Sequence, residues 1–306
     1  MIKEEVATMT IIQLEYLITV ASSNSINEAA NKLFISQPTL SAAIKEIEST
    51  VGFSIFNRSN RGVKLTLKGE EFVTYAKQVL DQYNLLEEKF VSKNNKQYFS
   101  VSLQHYTFAV KAFVETLQSH SFDQYEFSIF ETRTKDVIDN VKNFKSDLGV
   151  IYTTANNERI ITRILNDANL EFVPLVECAL HVYLHQDHPL ANLSKITLDM
   201  LDDYPCCVFD QGDNSLFLAE EVISIDDNKK IIKVSDRATI LNLMIGLNGY
   251  TICSGIISQE LNGSEYLSIP LAVNETMTIG YIKHKNLYLN EICQEYIGHL
   301  KDYLNQ

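Results

Sequence analysis

With 306 residues the chain has room for two or three domains, and 26 Lys and Arg against 39 Asp and Glu give it a net charge of −13. That balance excludes a protein coated in nucleic acid, and five cysteines, an odd number without metal-ligand spacing, exclude a disulfide framework and a structural zinc site. No charged-then-apolar leader opens the chain and no apolar run reaches the roughly eighteen residues of a membrane span, so a cytoplasmic location is expected.

In chain order, Leu14, Leu17, Ile18 and Ala21 recur at helical spacing and predict a first helix from Ile12 to about Ser22. Ser25 with Glu28 reads as a capping box, the hydroxyl taking the Glu28 amide and the carboxylate returning to the Ser25 amide. The second helix that it opens buries Ala29, Ala30 and Leu33, and two alanines suit close helix crossing. Ser36 caps a third helix, with Pro38 in a first turn where a missing amide costs nothing. Leu40, Ile44, Ile47 and Val51 form its apolar stripe, whereas Gln37, Thr39, Ser41, Ala42 and Lys45 make an outer face of small and hydrogen-bonding groups. A face of that kind suits a major groove better than open solvent.

From Asn57 to Lys68 the chain reads NRSNRGVKLTLK, four cations and no acid around a glycine turn. An exposed basic loop would read the same in isolation. Directly after a recognition-type helix, a hairpin wing is favoured, with Arg58, Arg61 and Lys64 meeting phosphates or the minor groove. The first 97 residues balance at 11 Lys and Arg against 11 Asp and Glu, and the remainder holds 15 against 28, so the acidity lies outside the basic module. Double-stranded DNA is the expected partner, with modest non-specific affinity because the acidic remainder repels phosphates.

The segment AANKLFISQPTLSAAIKEIESTVGFSIFNRSNRGVKLTLKG resembles the signature of LysR-type transcriptional regulators: A-A-x-x-L, S-Q-P-x-L-S, I-x-x-I-E, G-x-x-I-F-x-R and R-G-V-x-L-T-x-x-G. Met9 to Leu14 resembles the usual family start, which would make the first eight residues an extension. The resemblance implies a winged helix-turn-helix over 9–68, with Ser36, Gln37, Pro38, Thr39, Ser41 and Lys45 at the DNA beside Arg58, Arg61 and Lys64. Where the family often carries a basic or amide residue after Ser41, Ala42 and Ala43 stand here, which shifts base readout toward Gln37, Thr39 and Lys45.

A long helix is predicted from Gly69 to Lys93, where Phe72, Ala76, Val79, Tyr83, Leu86 and Phe90 step by four and three. One-sided burial against a domain core would give the same pattern. Because the polar VSKNNKQ follows, a second copy of the helix is the favoured cover, and the family uses its equivalent helix in that way. A linker and dimerisation element over 69–97 is therefore expected. It would form a homodimer or homotetramer on a roughly two-fold symmetric site, with RNA polymerase as a further candidate partner.

Beyond Gln97, strands (YFSVSLQ, YEFSIFE, SDLGVIY, LEFVPLV, ALHVYLH, YPCCVFD, GYTICSG) alternate with helices near Phe108–Ser119, Thr134–Phe144 and Arg237–Leu247, implying an α/β fold with parallel sheets. The resemblance adds a periplasmic-binding-protein-like effector domain over 98–306. Subdomain I would take 98–160 and 270–306 and subdomain II 161–269, with crossing strands near Asn157–Leu165 and Ser264–Ala272. Ligands of such sheets sit off strand carboxyl ends and at helix amino termini. Gln104, His105 and Tyr106, Thr132 and Arg133, Phe209, Gln211 and Asn214, and Asp236, Arg237 and Thr239 are the candidate contacts. Arg133 and Arg237 could clamp a carboxylate, and Tyr106 and Phe209 could cover an apolar side chain, so a small carboxylate or amino-acid-related effector fits. Two phrases, VSLQHYTFAVKAF and SDRATILNLMIGLNGYTICSG, are also similar to a Gram-positive branch of the family tied to cysteine and methionine metabolism.

Catalysis finds no support: a Gly-rich phosphate loop, a G-x-S-x-G elbow and an H-E-x-x-H are all missing, and no cofactor is expected. His181 and His185 share a strand face but have only Asp187 as a nearby third ligand, so no metal is assigned. The adjacent Cys206 and Cys207 hint at a thiol sensor, against which small buried hydrophobes in a reducing compartment are the favoured reading. The remaining alternative is a small-molecule binding module whose helix-turn-helix serves protein contacts; a basic wing is superfluous to such a module.

Overall fold

A computed structural model describes residues 9–59, 62–87, 91, 96–212, 218–220 and 230–304. The chain divides between residues 94 and 95 into two compact units.

The first unit opens with α1 (Ile11–Ala21), α2 (Ile26–Lys32) and α3 (Gln37–Val51). A capping box of Thr10 and Gln13 starts α1. Ser25 caps α2 as expected, accepting the Glu28 amide at 3.1 Å, but the return bond differs from the predicted one: the Glu28 carboxylate takes the Asn24 amide at 3.0 Å instead of the Ser25 amide. It also pairs with Lys32 at 2.8 Å, one turn on. Ala29 and Ala30 are buried at the helix crossing with Leu17, Leu40, Ile44 and Ile47, while Leu33 and Val51 lie half-buried at its edge. The hairpin β1 (Phe56–Ser59) and β2 (Gly62–Leu65) follows, antiparallel with Phe56 opposite Leu65. Gly62 has φ +116°, and a Cβ there would meet the Asn24 carbonyl oxygen at 2.4 Å. Only glycine lets the hairpin lie against the α1–α2 turn.

Thr66 caps α4 (Leu67–Leu86). The predicted heptad seam divides along it. Val73 and Ala76 are buried in the core of this unit, and Phe72 packs edge-on against Phe53 at 6.1 Å. Thus Phe72 and Ala76 are covered by their own domain, and one-sided burial is right for the first half. Val79, Tyr83 and Leu86 are 49%, 36% and 53% exposed, and Phe90 lies outside the described residues.

The second unit begins with β3 (Gln97–Leu103), α5 (Thr107–Gln118), β4 (Tyr125–Glu131), α6 (Thr134–Lys142) and β5 (Leu148–Thr153). Residues Glu158–Asp167, where a crossing strand was expected, form the helix α7. Its apolar Ile161 and Leu165 are spaced for a helix face and sit with Val137, Ile138 and Val141 of α6. The chain then runs through β6 (Leu170–Ala179) and leaves the first sheet at Leu180 for β7 (His181–His185). A 3-10 turn at Leu198–Leu201, β8 (Cys206–Phe209), β9 (Ile231–Val234), α8 (Arg237–Leu247), β10 (Thr251–Cys253), α9 (Gln259–Asn262) and β11 (Tyr266–Pro270) follow. The return passes Leu271, whose amide donates to the Leu180 carbonyl at 2.9 Å, into β12 (Thr276–His284) and α10 (Glu291–Leu304).

The first sheet has the order β4-β3-β5-β12-β6. β3 is parallel to β4 and β5, but β12 is antiparallel to both of its neighbours, so the sheet is mixed, contrary to the parallel expectation. Strand β6 therefore stays with the first sheet, and the outward crossing falls about twenty residues beyond the expected Asn157–Leu165. The second layer holds the antiparallel order β10-β7-β11 and the parallel pair β8-β9, with α8 packed through Ile240 and Met244 on Tyr183 and Tyr266.

Candidate functional site

The outer face of α3 is built for contact. Ser36 caps the helix, accepting the Thr39 amide at 3.2 Å, and its hydroxyl lies 2.7 Å from that of Thr39. Gln37 donates to the Ser41 hydroxyl at 2.8 Å, which aligns both along one edge. Gln37, Pro38, Thr39, Ala42 and Lys45 are exposed. A residue that sequence reasoning passed over ties this helix to the wing. Glu48, the acid of I-x-x-I-E, accepts the Ile55 and Phe56 amides at 2.8 and 3.0 Å and pairs with Arg58 at 3.3 Å. Its signal was a half-buried acid on the flank of an apolar stripe. Arg58 is paired with Glu48 yet exposed, Lys64 is exposed, and Arg61 lies outside the described residues.

In the second unit, a cavity with about 680 Å³ of empty space, part of it open to solvent, lies between the two sheet layers. His105, Tyr106, Phe209 and Arg237, all singled out in the sequence, line it. Tyr183, Glu220, Thr251, Ser254, Asn262 and Met277 are among the other lining residues, and none of them was singled out. They come from three strands, the end of α9 and two loop positions, so only tertiary folding brings them together. The His105 ring stacks flat on Phe209 at 3.5 Å, and its Nδ1 lies 2.8 Å from the Glu220 carboxylate. Arg237 pairs with Glu131, and burial lowers its guanidinium to about 10, still charged at neutral pH. Tyr183 accepts a bond from Asn262 at 2.8 Å.

Several expected contacts are used otherwise. Gln104 is fully buried, donating to Thr134 at 2.5 Å and accepting from the Tyr152 amide, so it ties strands together behind the cavity. Gln211 is buried between the Thr134 amide and Glu220. Asp236 caps α8, and the Thr239 amide and hydroxyl bonded to it hold its carboxyl below the usual range. Thr239 is thereby turned to its own helix end, and Thr132 bonds Asp136 at 3.4 Å. Arg133 spans to Asp210 at 2.5 Å at the outer edge. Asn214 lies outside the described residues. Among the described residues no group of three or more His, Cys, Asp or Glu could hold a metal ion, and no helix is long and apolar enough to cross a membrane.

Residues 11–70 match the family described as bacterial regulatory helix-turn-helix protein, lysR family, and residues 104–305 match the LysR substrate binding domain. The chain belongs to the LysR family. Among its relatives is an uncharacterized HTH-type transcriptional regulator, YvbU, of Bacillus subtilis, 26% identical over 87% of this chain and 92% of that one. Another is the HTH-type transcriptional activator CmpR of Synechocystis, 24% identical over 95% and 94%. The fold is similar to that of full-length CbnR bound to its target DNA, with TM-score 0.60, 15% identity and coverage of 96% and 100%. Full-length OxyR from Pseudomonas aeruginosa is also similar, with TM-score 0.55, 21% identity and coverage of 97% and 95%. This LysR-type chain is thus a DNA-binding transcriptional regulator with an effector-binding domain, and its relatives are regulators, not enzymes.

Proposed function

We propose that this LysR-family chain is a cytoplasmic regulator whose operator binding is set by a small carboxylate or amino-acid-related metabolite held in the cavity at His105, Tyr106, Phe209 and Arg237. The observation that carries the reading is the joining, in one chain, of an exposed α3 face beside a basic wing with a cavity that pairs aromatic walls and a half-buried guanidinium. Gln37, Thr39 and Lys45 read bases, Ser36, Pro38 and Ser41 set the helix edge, and Lys64 with Arg61 holds phosphates. The exposed part of α4 pairs two copies, and RNA polymerase is the further partner at a promoter.

Curated relatives also include a hydrogen peroxide-inducible genes activator of Pectobacterium carotovorum, 23% identical over 85% of each chain. A thiolate-based peroxide response is disfavoured here. Burial pushes the Cys178 and Cys253 thiols up to about 12 and about 11, and Cys206, Cys207 and Cys293 are buried.

Selection of bound sites from a random DNA pool, followed by titration of variants, tests the DNA half. Gln37→Ala should lose about 1–3 kcal/mol of discrimination at single base pairs. Lys64→Ala should weaken all sequences alike and reduce the salt slope by about one. Unchanged discrimination in the Gln37 variant refutes the base-reading assignment.

A further inference from the structure

The cavity contains a carboxylate already, and it belongs to the protein. Glu220 accepts the His105 main-chain amide at 3.1 Å and the Gln211 side-chain amide at 2.8 Å, and lies 2.8 Å from the His105 ring. The side chains of His105 and Glu220 are each only 7% exposed, and Gln211 is buried. Three nitrogens from two distant segments thus converge on the two oxygens of one acid. The neighbouring cation sites repeat the pattern, with Glu131 on Arg237 and Asp210 on Arg133. His105, Arg133 and Arg237 each have an internal acid in place.

We propose that the His105 amide, the His105 ring and the Gln211 amide form a carboxylate-binding cradle that Glu220 fills as an internal stand-in, and that an effector carboxylate binds by displacing Glu220. This deepens the proposed effector reading and rests on it. Exchange of one carboxylate for another keeps every buried donor satisfied, whereas a neutral ligand that evicted Glu220 would leave the imidazole and both amides with a poorer acceptor. Exchange also needs somewhere for the departing side chain to go, and Glu220 lines a cavity that is partly open to solvent. The segment before it is fastened to α6 and β5 by two bonds, from the Thr134 hydroxyl to the Leu218 carbonyl at 2.8 Å and from the Tyr152 hydroxyl to the Ala219 carbonyl at 2.5 Å. Displacement of Glu220 would be felt at those two elements through these bonds. The stand-in competes with the effector, so it lowers apparent affinity by the fraction of time it occupies the cradle.

The test uses the full chain and acetate as probe, titrated against chloride at matched ionic strength while the melting temperature is followed. Glu220→Ala should show saturable stabilisation by acetate, with an apparent Kd at least about tenfold below that of the unaltered protein. Adding Gln211→Ala should abolish the gain, and sulfate should stabilise less than acetate. Glu220→Gln keeps the side-chain volume and should fall between; it carries the same comparison if the alanine variant does not fold. A folded variant that responds to acetate no more than to chloride overturns the cradle, and equal stabilisation by sulfate overturns its selectivity for carboxylate. Operator binding by the same samples separates the two readings. Retained DNA binding with no acetate response refutes the cradle alone, whereas an unaltered protein that binds no DNA refutes the regulator reading beneath it.

Discussion

Glu48 shows how a single acid can decide whether a DNA-binding surface is preorganised. Two main-chain amides and a guanidinium end on its carboxylate at 17% exposure. Its loss would strand the Ile55 and Phe56 amides at the root of the wing. Glu48→Ala should therefore destabilise the N-terminal unit by about 1–3 kcal/mol and weaken operator binding by loosening the wing. Thermal melting together with DNA titration checks this, and a variant with both values unchanged would make the contact ornamental. The sequence showed Glu48 only as one letter of a motif; its partners are seven to ten residues ahead, and nothing in local spacing names them. By contrast, Ser36 was legible as a cap because its partner is three residues away. His188 offers a second test. It is buried, accepts the Leu190 amide on Nδ1 at 3.1 Å and sits 3.0 Å from the Asn248 carbonyl through Nε2, an arrangement that suits the neutral ring with its proton on Nε2. Burial accordingly lowers its pKa below the ordinary value of 6.5. The unfolded chain then binds the extra proton first, so stability should fall as pH drops through about 6.5, where unfolded His titrates. Melting temperatures at a series of pH values should lose part of that slope in His188→Gln, provided the variant keeps both hydrogen bonds.

At the scale of elements, α4 carries two kinds of burial on one stripe. Its first turns close the DNA-binding core, and its later apolar positions have no cover within the described part of their own unit. Phe72→Ala should lower the melting temperature by the equivalent of about 1–3 kcal/mol, less than a full-core truncation, and leave the oligomeric mass unchanged. Val79→Asp with Leu86→Asp should do the reverse, retaining helical content while light scattering reports smaller species. If the Phe72 variant changes mass and the aspartates do not, the pairing surface lies elsewhere. Periodicity revealed the stripe but could not say where one cover gives way to another, because a domain core and a partner helix impose the same spacing. A different error arose at α7. Ile161 and Leu165 carry a plain helical signal, which the crossing strand implied by the resemblance overrode. The strands β3, β4 and β5 were legible as short apolar runs between helices, whereas β12 was not among the strands read, and its antiparallel insertion depends on a connection that runs through the whole second layer. In the same way the cavity was legible at His105, Tyr106, Phe209 and Arg237, which follow strands or open helices. It was not legible at Tyr183 or Thr251, which sit inside strands.

For the whole molecule, regulation requires that effector and operator distinguish the same two arrangements. The coupling is then reciprocal: whatever factor the metabolite imposes on DNA affinity, DNA must impose on metabolite affinity, typically about 5- to 150-fold. Calorimetry with a metabolite identified by thermal-shift screening, in the presence and absence of operator, should return equal factors. Thr132→Ala and Thr239→Ala should change neither affinity much, because both side chains are occupied at their own helix ends instead of the cavity. Equal effector affinity for free and DNA-bound protein would refute the coupling.

The position of β12 has a consequence for how the protein is made. This strand lies between β5 and β6 in the first sheet, yet it is translated only after the entire second layer. A nascent chain can complete its DNA-binding unit as soon as the first 94 residues have left the ribosome. It must hold β5 and β6 apart, or paired wrongly, until Thr276–His284 emerges to join them. For that interval the cell contains a finished reader attached to an unfinished sensor. A chain ended anywhere from residue 95 to 275 would carry the DNA-binding unit but lack the strand that joins β5 to β6.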